Sequence, residues 1–458
     1  MEFTFGSGSD ASLEERIVQY GKPGPLFRPM RWTINGAGII AMLSEKLLDL
    51  AFTRAVKHGS LEMTTAGGRR FTFGDGTAPR VSIRFTDAPA QMALCLHPEL
   101  KLGELFVEGR LVIENGTILD LLQLLLQDTH GELDELPLHR LRKIRAKMMR
   151  RAENNAARSK RNVAHHYDLD GRLYSLFLDS DRQYSCAYFD HPDVSLEEAQ
   201  MAKKRHIAAK LMIDPGHSVL DIGSGWGGMG LYLAQVAGAG SVKGVTLSEE
   251  QLEVSRKRSA TACLQDRVQF ELQDYRLTTG SFDRIVSVGM FEHVGVSSYD
   301  AYFQTCRNLL KADGVMLLHT IGRSGTPYPT NPWITKYIFP GGHLPVLSEM
   351  MPAIERAGLM VTDIEILRLH YAYTLKAWRE RFMAHREEIL RLYDERFCRM
   401  WECYLAMSES AFRWQDAVVF QLQLARRNDV VPLTRDYIAE RETALKETEQ
   451  NMELKRSA

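Results

Sequence analysis

One ten-residue stretch constrains this chain more than any other: Val219-Leu-Asp-Ile-Gly-Ser-Gly-Trp-Gly-Gly228. Val219 to Ile222 reads as a buried strand, and a helix begins near Met229. The glycines at 223, 225, 227 and 228 let the backbone between them turn sharply and approach a ligand without an intervening Cβ. The turn belongs to a longer alternation. Ser218–Ile222, Ser241–Val245, Val268–Leu272, Arg284–Val288 and Val315–Thr320 are short β-rich runs, separated by helical stretches between about Val163 and Leu367. That order predicts an α/β, doubly wound, Rossmann-like domain around a mostly parallel sheet.

A glycine turn of this kind is not specific alone, because dinucleotide sites satisfy it and so does a tight turn with no ligand. Three details favour S-adenosylmethionine over a nicotinamide dinucleotide. Asp221 precedes the glycines at the strand end, where a carboxylate would meet the cationic amino group of an amino-acid cofactor. The next strand runs into Thr246-Leu-Ser248, without the acid that holds the ribose in a nicotinamide site. Gln273-Asp274-Tyr275 follows the third strand, with a carboxylate and a ring where an adenine would lie.

A chain of 458 residues exceeds what one hydrophobic core usually serves. We expect a smaller N-terminal α+β domain over 1–135, a basic linker helix over 136–162, and a catalytic domain with C-terminal helices over 163–458. The first region mixes β-like runs (Leu61–Thr65, Arg69–Phe73, Val81–Phe85) with helical ones (Leu43–Val56, Leu102–Glu108, Leu119–Leu126) and has no polar cluster suited to chemistry. Trp378 to Leu424 reads as helical and rich in aromatics, and Thr443 to Ala458 as an exposed helix with a frayed end. Between Arg140 and Arg161 stand ten Lys or Arg and one acid, Glu153, with Leu138, Leu141, Ile144 and Met148 at helical spacing. Such a helix suits an anionic lipid surface, and equally a solvated face between domains.

The net charge of −1 gives no global field for nucleic acid or membrane. Nucleic acid is a weak reading of the basic stretch, which lacks stacking aromatics until His165 and Tyr167. Six scattered cysteines without a CxxC pair predict neither a disulfide framework nor a metal site, and fit a reducing cytoplasm. No apolar run is long enough to span a bilayer, and no signal-peptide pattern opens the chain.

The chain resembles the cyclopropane-fatty-acyl-phospholipid synthases and, more distantly, the mycolic acid cyclopropane synthases. The blocks that carry the resemblance are Tyr184-Ser-Cys-Ala-Tyr188, Val219–Gly228, Gly244-Val-Thr-Leu-Ser248 with Gln251, and Phe282 to Gly295. Leu317 to Gly322, Trp333 to Gly341, Tyr371, Thr374-Leu375, Trp378 and Glu380-Arg-Phe382 extend it. The N-terminal region resembles, more loosely, the extra domain of the phospholipid-acting members, which implies lipid handling or docking.

The resemblance implies S-adenosylmethionine contacts from Tyr184, Ser185, Thr246, Leu247, Gln251, Asp274 and Tyr275, beside those from Asp221, Gly223, Gly225, Trp226 and Gly227. It implies a cradle for bicarbonate, the general base, made of Cys186, Glu292, His319, Ile321 (through its backbone) and Tyr371. It implies an unsaturated phospholipid substrate, visits to the inner membrane surface from the cytoplasm, and a homodimer. In that chemistry the π bond of a cis-unsaturated acyl chain attacks the sulfonium methyl, and proton loss from the new methyl closes a cyclopropane. Tyr188, Phe291, Tyr337 and Phe339 are candidates for aromatic faces that stabilise the intervening cation. Ser224 and Ser408 stand where relatives carry cysteine; the first change is expected to be neutral, and the second excludes an essential thiol there. Competing readings are a lipid methyltransferase giving a methyl-branched or methylene product, a small-molecule N- or O-methyltransferase, and a non-catalytic lipid-binding protein.

Overall fold

The computed structural model describes residues 34–128 and 171–457. The expected basic helix at 136–162 lies outside the described residues.

In the N-terminal part, α1 (Ile34–Ala55) leads into β1 (Ser60–Thr64), β2 (Arg70–Gly74) and β3 (Arg80–Phe85). α2 (Ala88–Leu96) and α3 (Pro98–Val107) precede β4 (Leu111–Asn115) and α4 (Ile118–Leu126). The strands lie in the order β2-β1-β3-β4, with β1 and β3 parallel and the outer pairings antiparallel. Leu61 and Met63 alternate inward on β1, as do Val81, Ile83 and Phe85 on β3, which is the two-residue period of a half-buried sheet. The sequence did not reveal α2 or β4. The first is set by Asp87, whose carboxylate accepts from Ala90 N at 2.8 Å and which Arg110, just before β4, grips through two nitrogens.

The second part runs α5 (Gly171–Phe177), α6 (Leu196–Leu211), β5 (Ser218–Ile222), α7 (Gly228–Gln235), β6 (Ser241–Thr246), α8 (Glu249–Thr261) and β7 (Val268–Leu272). β8 (Phe282–Val288), α9 (Tyr299–Leu309), β9 (Leu310–Arg323), α10 (Pro332–Tyr337), α11 (Leu347–Arg356) and β10 (Met360–Leu367) follow. Last come α12 (His370–Ala384), α13 (Arg386–Leu392), α14 (Glu395–Trp414), β11 (Ala417–Ala425) and α15 (Asp436–Ser457). Seven strands form one sheet, β10-β11-β9-β8-β5-β6-β7. Neighbours from β9 through β7 are parallel, and β11 is antiparallel to both β9 and β10. From β5 the chain winds outward first through β6 and β7, then through β8 and β9. The crevice at the carboxyl ends of β5 and β8 is therefore the switch point where such sheets take ligands.

Two expectations need correction. Ala417–Ala425 is not helical but a central strand, buried at all nine positions. Its glutamines alternate with apolar residues as in a strand, but both glutamines are buried too, and the long helical stretch before it masked the change of period. The terminal helix begins at Asp436, earlier than expected, and is anchored as well as exposed: Glu449 accepts from Arg205 of α6 and from Tyr232 of α7.

The two parts share a continuous apolar core. Leu121 and Leu124 of α4 are fully buried in it, as are Trp401 and Leu405 of α14. At the seam, the largely buried Glu104 of α3 accepts from Lys336 Nζ (2.7 Å) and from the Tyr337 hydroxyl (2.8 Å) of α10.

Candidate active site

The glycine turn, the ends of β6 to β8 and the segment 182–185 line one cavity. Gly223 and Gly225 both have φ in the left-handed region, +83° and +53°. A Cβ at Gly225 would meet no atom within 4 Å, so the backbone there borders open space that a ligand can enter. Gly227 departs from expectation. It is not among the lining residues, because it turns toward Phe270 and Ser255 and lets α7 close on the sheet, while Gly228 takes its place at the cavity.

The other expected cofactor residues, Tyr184, Ser185, Asp221, Trp226, Thr246, Leu247, Gln251, Asp274 and Tyr275, all line the cavity. Ser248 caps α8 by accepting from Gln251 N, which presents Gln251 on the first turn; its amide oxygen accepts from the Thr246 hydroxyl at 3.1 Å. Tyr184 shares a 2.8 Å hydroxyl contact with Tyr404 of α14 and stacks on Trp378. The Trp226 indole donates to Glu250 at 2.9 Å. Asp221 is buried, with Oδ2 unpartnered, and burial raises its carboxyl to about 7. An orphaned carboxylate oxygen at a cavity wall fits the ammonium of an amino-acid cofactor. Asp274 is more committed than expected. Burial alone would raise it, but Arg276, bound to both carboxylate oxygens, holds it below its usual range.

Of the five further residues, the structure joins Glu292 and Ile321 directly: the Ile321 amide donates to Glu292 Oε1 at 2.6 Å. The neighbouring Thr320 hydroxyl donates to the Ile321 carbonyl and lies close enough to the Glu292 carboxylate to offset part of its burial, while Glu292 Oε2 itself is buried without a hydrogen-bond partner. Burial pushes the Glu292 carboxyl up to about 7. His319 lies two residues before Ile321 on β9, so the two share a face. Its Nε2 is likewise buried and unpartnered, and burial with the nearby Lys203 and Lys210 lowers it to about 3, so the imidazole is neutral. The segment carrying Cys186 is tied to α12, the helix that carries Tyr371. Ala187 N donates to Thr374 Oγ1, one turn beyond Tyr371 on that helix. Burial raises the Cys186 thiol far above its usual range, so it stays protonated.

The aromatic candidates divide. Tyr188 is stacked between His206 and His370, Phe291 is packed into the core on Tyr299, and Tyr337 serves the seam with Glu104. Only Phe339 stays near the cavity, with its ring 6.1 Å from that of the lining His293. Residue type signalled aromaticity but not which side of the sheet each ring would occupy.

Sequence reasoning missed Lys203 of α6, which is fully buried and donates to Ser185 Oγ at 2.9 Å and Gln183 Oε1 at 2.5 Å. Burial lowers its ammonium to about 8. It also missed Arg276 and His293. A lysine inside an otherwise covered helix face was the available signal for the first.

Residues 154–422 match the family model for mycolic acid cyclopropane synthetase. The cyclopropane-fatty-acyl-phospholipid synthase of Escherichia coli is 46% identical over 57% of this chain, an alignment spanning 66% of that protein's length. The tuberculostearic acid methyltransferase UfaA1 of Mycobacterium tuberculosis is 35% identical over 85% of this chain and 93% of its own. Among solved structures, the mycolic acid cyclopropane synthase CmaA1 complexed with SAH and CTAB superposes with a TM-score of 0.55, at 34% identity. The superposition covers 58% of this chain and 97% of that one. The seven-stranded sheet is thus the Rossmann-like fold of S-adenosylmethionine-dependent methyltransferases. On these matches the chain belongs to the mycolic acid cyclopropane synthetase family.

Proposed function

We propose that the protein transfers a methylene unit from S-adenosylmethionine to the cis double bond of unsaturated phospholipid acyl chains, forming cyclopropane acyl chains. The observation that carries this reading is the pair of buried, unpartnered atoms beside the cofactor cavity, His319 Nε2 and Glu292 Oε2. A neutral imidazole N–H and a carboxylate oxygen suit bicarbonate, which both accepts and donates hydrogen bonds. Cys186, Glu292, His319 and Tyr371 would hold that ion, while the Ile321 amide, expected to contact it directly, is given to Glu292 and would fix that carboxylate instead.

When bound, S-adenosylmethionine supplies an electrophilic methyl group on a sulfonium, and bicarbonate supplies a base for the proton lost at ring closure. The chain's own residues do the rest. Asp221, Ser185, Gln251 and Tyr275 bind and orient the cofactor, since an alkene needs in-line placement and no deprotonation to attack. The rings of Tyr174, Phe177, Tyr184, Trp378 and Trp401 pack edge and face beside the cavity and exclude water, which would quench a cation on the acyl chain. Burial keeps the Cys186 thiol neutral, where a thiolate would trap that cation. The small N-terminal domain handles or docks lipid, and the enzyme works as a homodimer at the membrane surface; no helix among the described residues is long and apolar enough to cross a bilayer.

A second reading, methyl transfer without ring closure, is favoured by the alignment of the tuberculostearic acid methyltransferase over 85% of the chain. Incubation with labelled S-adenosylmethionine and unsaturated phospholipid vesicles, then mass spectrometry and proton NMR of the acyl chains, separates the two. A gain of CH₂ with upfield ring protons is expected. Methylated chains without ring signals would establish the second reading, and absence of any lipid product would overturn both.

A further inference from the structure

The register of the sheet sets His319 on β9 opposite Gln421 on β11. Both side chains are buried, and Gln421 Nε2 lies 3.2 Å from His319 Nδ1. The other end of the same amide is taken: Lys210 of α6, with no exposed surface, donates from Nζ to Gln421 Oε1 at 2.9 Å. Lys210 is held in turn by Glu365 of β10, with Asp363 at 3.6 Å. Glu365 also accepts from His206 at 2.7 Å, and His206 reaches Glu442 of α15 at 2.8 Å.

This chain of contacts leaves one arrangement of protons. An ammonium only donates, so the end of the amide facing Lys210 is the oxygen. The end facing His319 is therefore the NH₂, which only donates, and Nδ1 must receive it with a lone pair. The proton of a neutral imidazole then sits on Nε2, the nitrogen that is buried without a hydrogen-bond partner. An imidazolium would set Nδ1–H against the amide NH₂, donor against donor. We propose that Lys210 and Gln421 are positioning residues that lock His319 as the Nε2–H tautomer, making it a fixed hydrogen-bond donor to the anion and denying it the role of base. The inference deepens the reading of this pocket as a bicarbonate cradle and rests on it for its catalytic meaning. The tautomer itself does not depend on that reading. It explains why a charged lysine and a glutamine are spent inside a sheet core that would pack better with apolar side chains.

The test uses the full chain labelled with ¹⁵N-histidine. Multiple-bond ¹H–¹⁵N spectra distinguish the two neutral tautomers from the imidazolium, and His319→Gln assigns the resonance. The wild type is expected to show Nε2–H at pH 7, and sodium bicarbonate is expected to shift that proton. In Gln421→Glu the carboxylate accepts from Lys210 and from the ring alike, so the tautomer inverts to Nδ1–H. Product formation then falls by about 100-fold, the scale of losing one placed donor. Lys210→Met releases the amide and gives a mixture of tautomers, a second route if Gln421→Glu does not fold. A wild-type His319 found as Nδ1–H or as imidazolium, or an inverted variant at full activity, would overturn the proposal. A wild type with Nε2–H but no lipid product, or no response to bicarbonate, would sustain the tautomer lock and sink the proposed function.

Discussion

The two parts of this molecule treat buried polar atoms in opposite ways. In the described part of the N-terminal domain, only Gln91 Nε2 is buried without a partner, and Glu104 and Asp87 are tied to cations. Around the carboxyl ends of the large sheet, Asp221 Oδ2, Glu292 Oε2 and His319 Nε2 are all buried without partners. Each such atom costs stability, because it has left water and gained nothing. A cluster of them beside one cavity is what a site prepared for polar ligands looks like. The small domain shows the folded state that the same physics reaches when no ligand has to be met.

The comparison can be broken most sharply at Asp221. Its carboxyl is raised from 3.8 to about 7 by burial, so the folded protein binds that proton more tightly than the unfolded chain. Stability therefore falls as pH rises from about 4 to about 7, and the full penalty persists above. Asp221→Asn is expected to stabilise the ligand-free protein at pH 8 by on the order of 2–4 kcal/mol, with no gain at pH 4. S-adenosylmethionine affinity should fall by about 100-fold. Calorimetry with and without cofactor checks both, and a destabilised or tightly binding variant would count against the assignment.

Leu121→Ala tests the other side. It opens a cavity in the shared apolar core and is expected to cost about 3 kcal/mol in denaturant unfolding. Cofactor affinity should stay within about twofold, because distant sites without shared partners act independently. A large loss of affinity would show that the small domain shapes the cavity. The smallest effect is expected at Ser224, whose amide already donates to Val245 O while its hydroxyl has no partner. Ser224→Ala should gain about 1 kcal/mol and leave cofactor binding unchanged. Weaker binding would assign the hydroxyl to the ligand.

The sequence exposed the half of the site that is local. The glycine turn, Asp221 and the Thr246-Leu247-Ser248 step sit at strand ends punctuated by glycine and a helix cap, and β5 and β7 were bounded as found. What it hid depends on register. Gln421 matters because β11 pairs antiparallel with β9 and sets it beside His319, more than a hundred residues away along the chain. The alternation Phe-Gln-Leu-Gln-Leu in 420–424 hinted at a strand, but nothing in it announces which strand it pairs with. Lys203 and Lys210 were hidden likewise, since a lysine on a helix is ordinarily a solvated charge. The misplaced rings of Tyr188, Phe291 and Tyr337 make the same point: a side chain's type is local, and its neighbours are not.

The central claim is that Glu292 is kept buried and half-partnered for the sake of the reaction. Burial raises its carboxyl from 4.5 to about 7, so between those pH values the folded state loses stability as pH rises. The decisive measurement is thermal unfolding of Glu292→Gln at pH 4 and pH 8, alongside its product yield on unsaturated phospholipid vesicles. The account predicts a variant more stable than wild type by on the order of 2–3 kcal/mol at pH 8, equal to it at pH 4, and unable to form cyclopropane chains. A variant that melts no higher than wild type at pH 8, or one that still makes product at the wild-type rate, would contradict it.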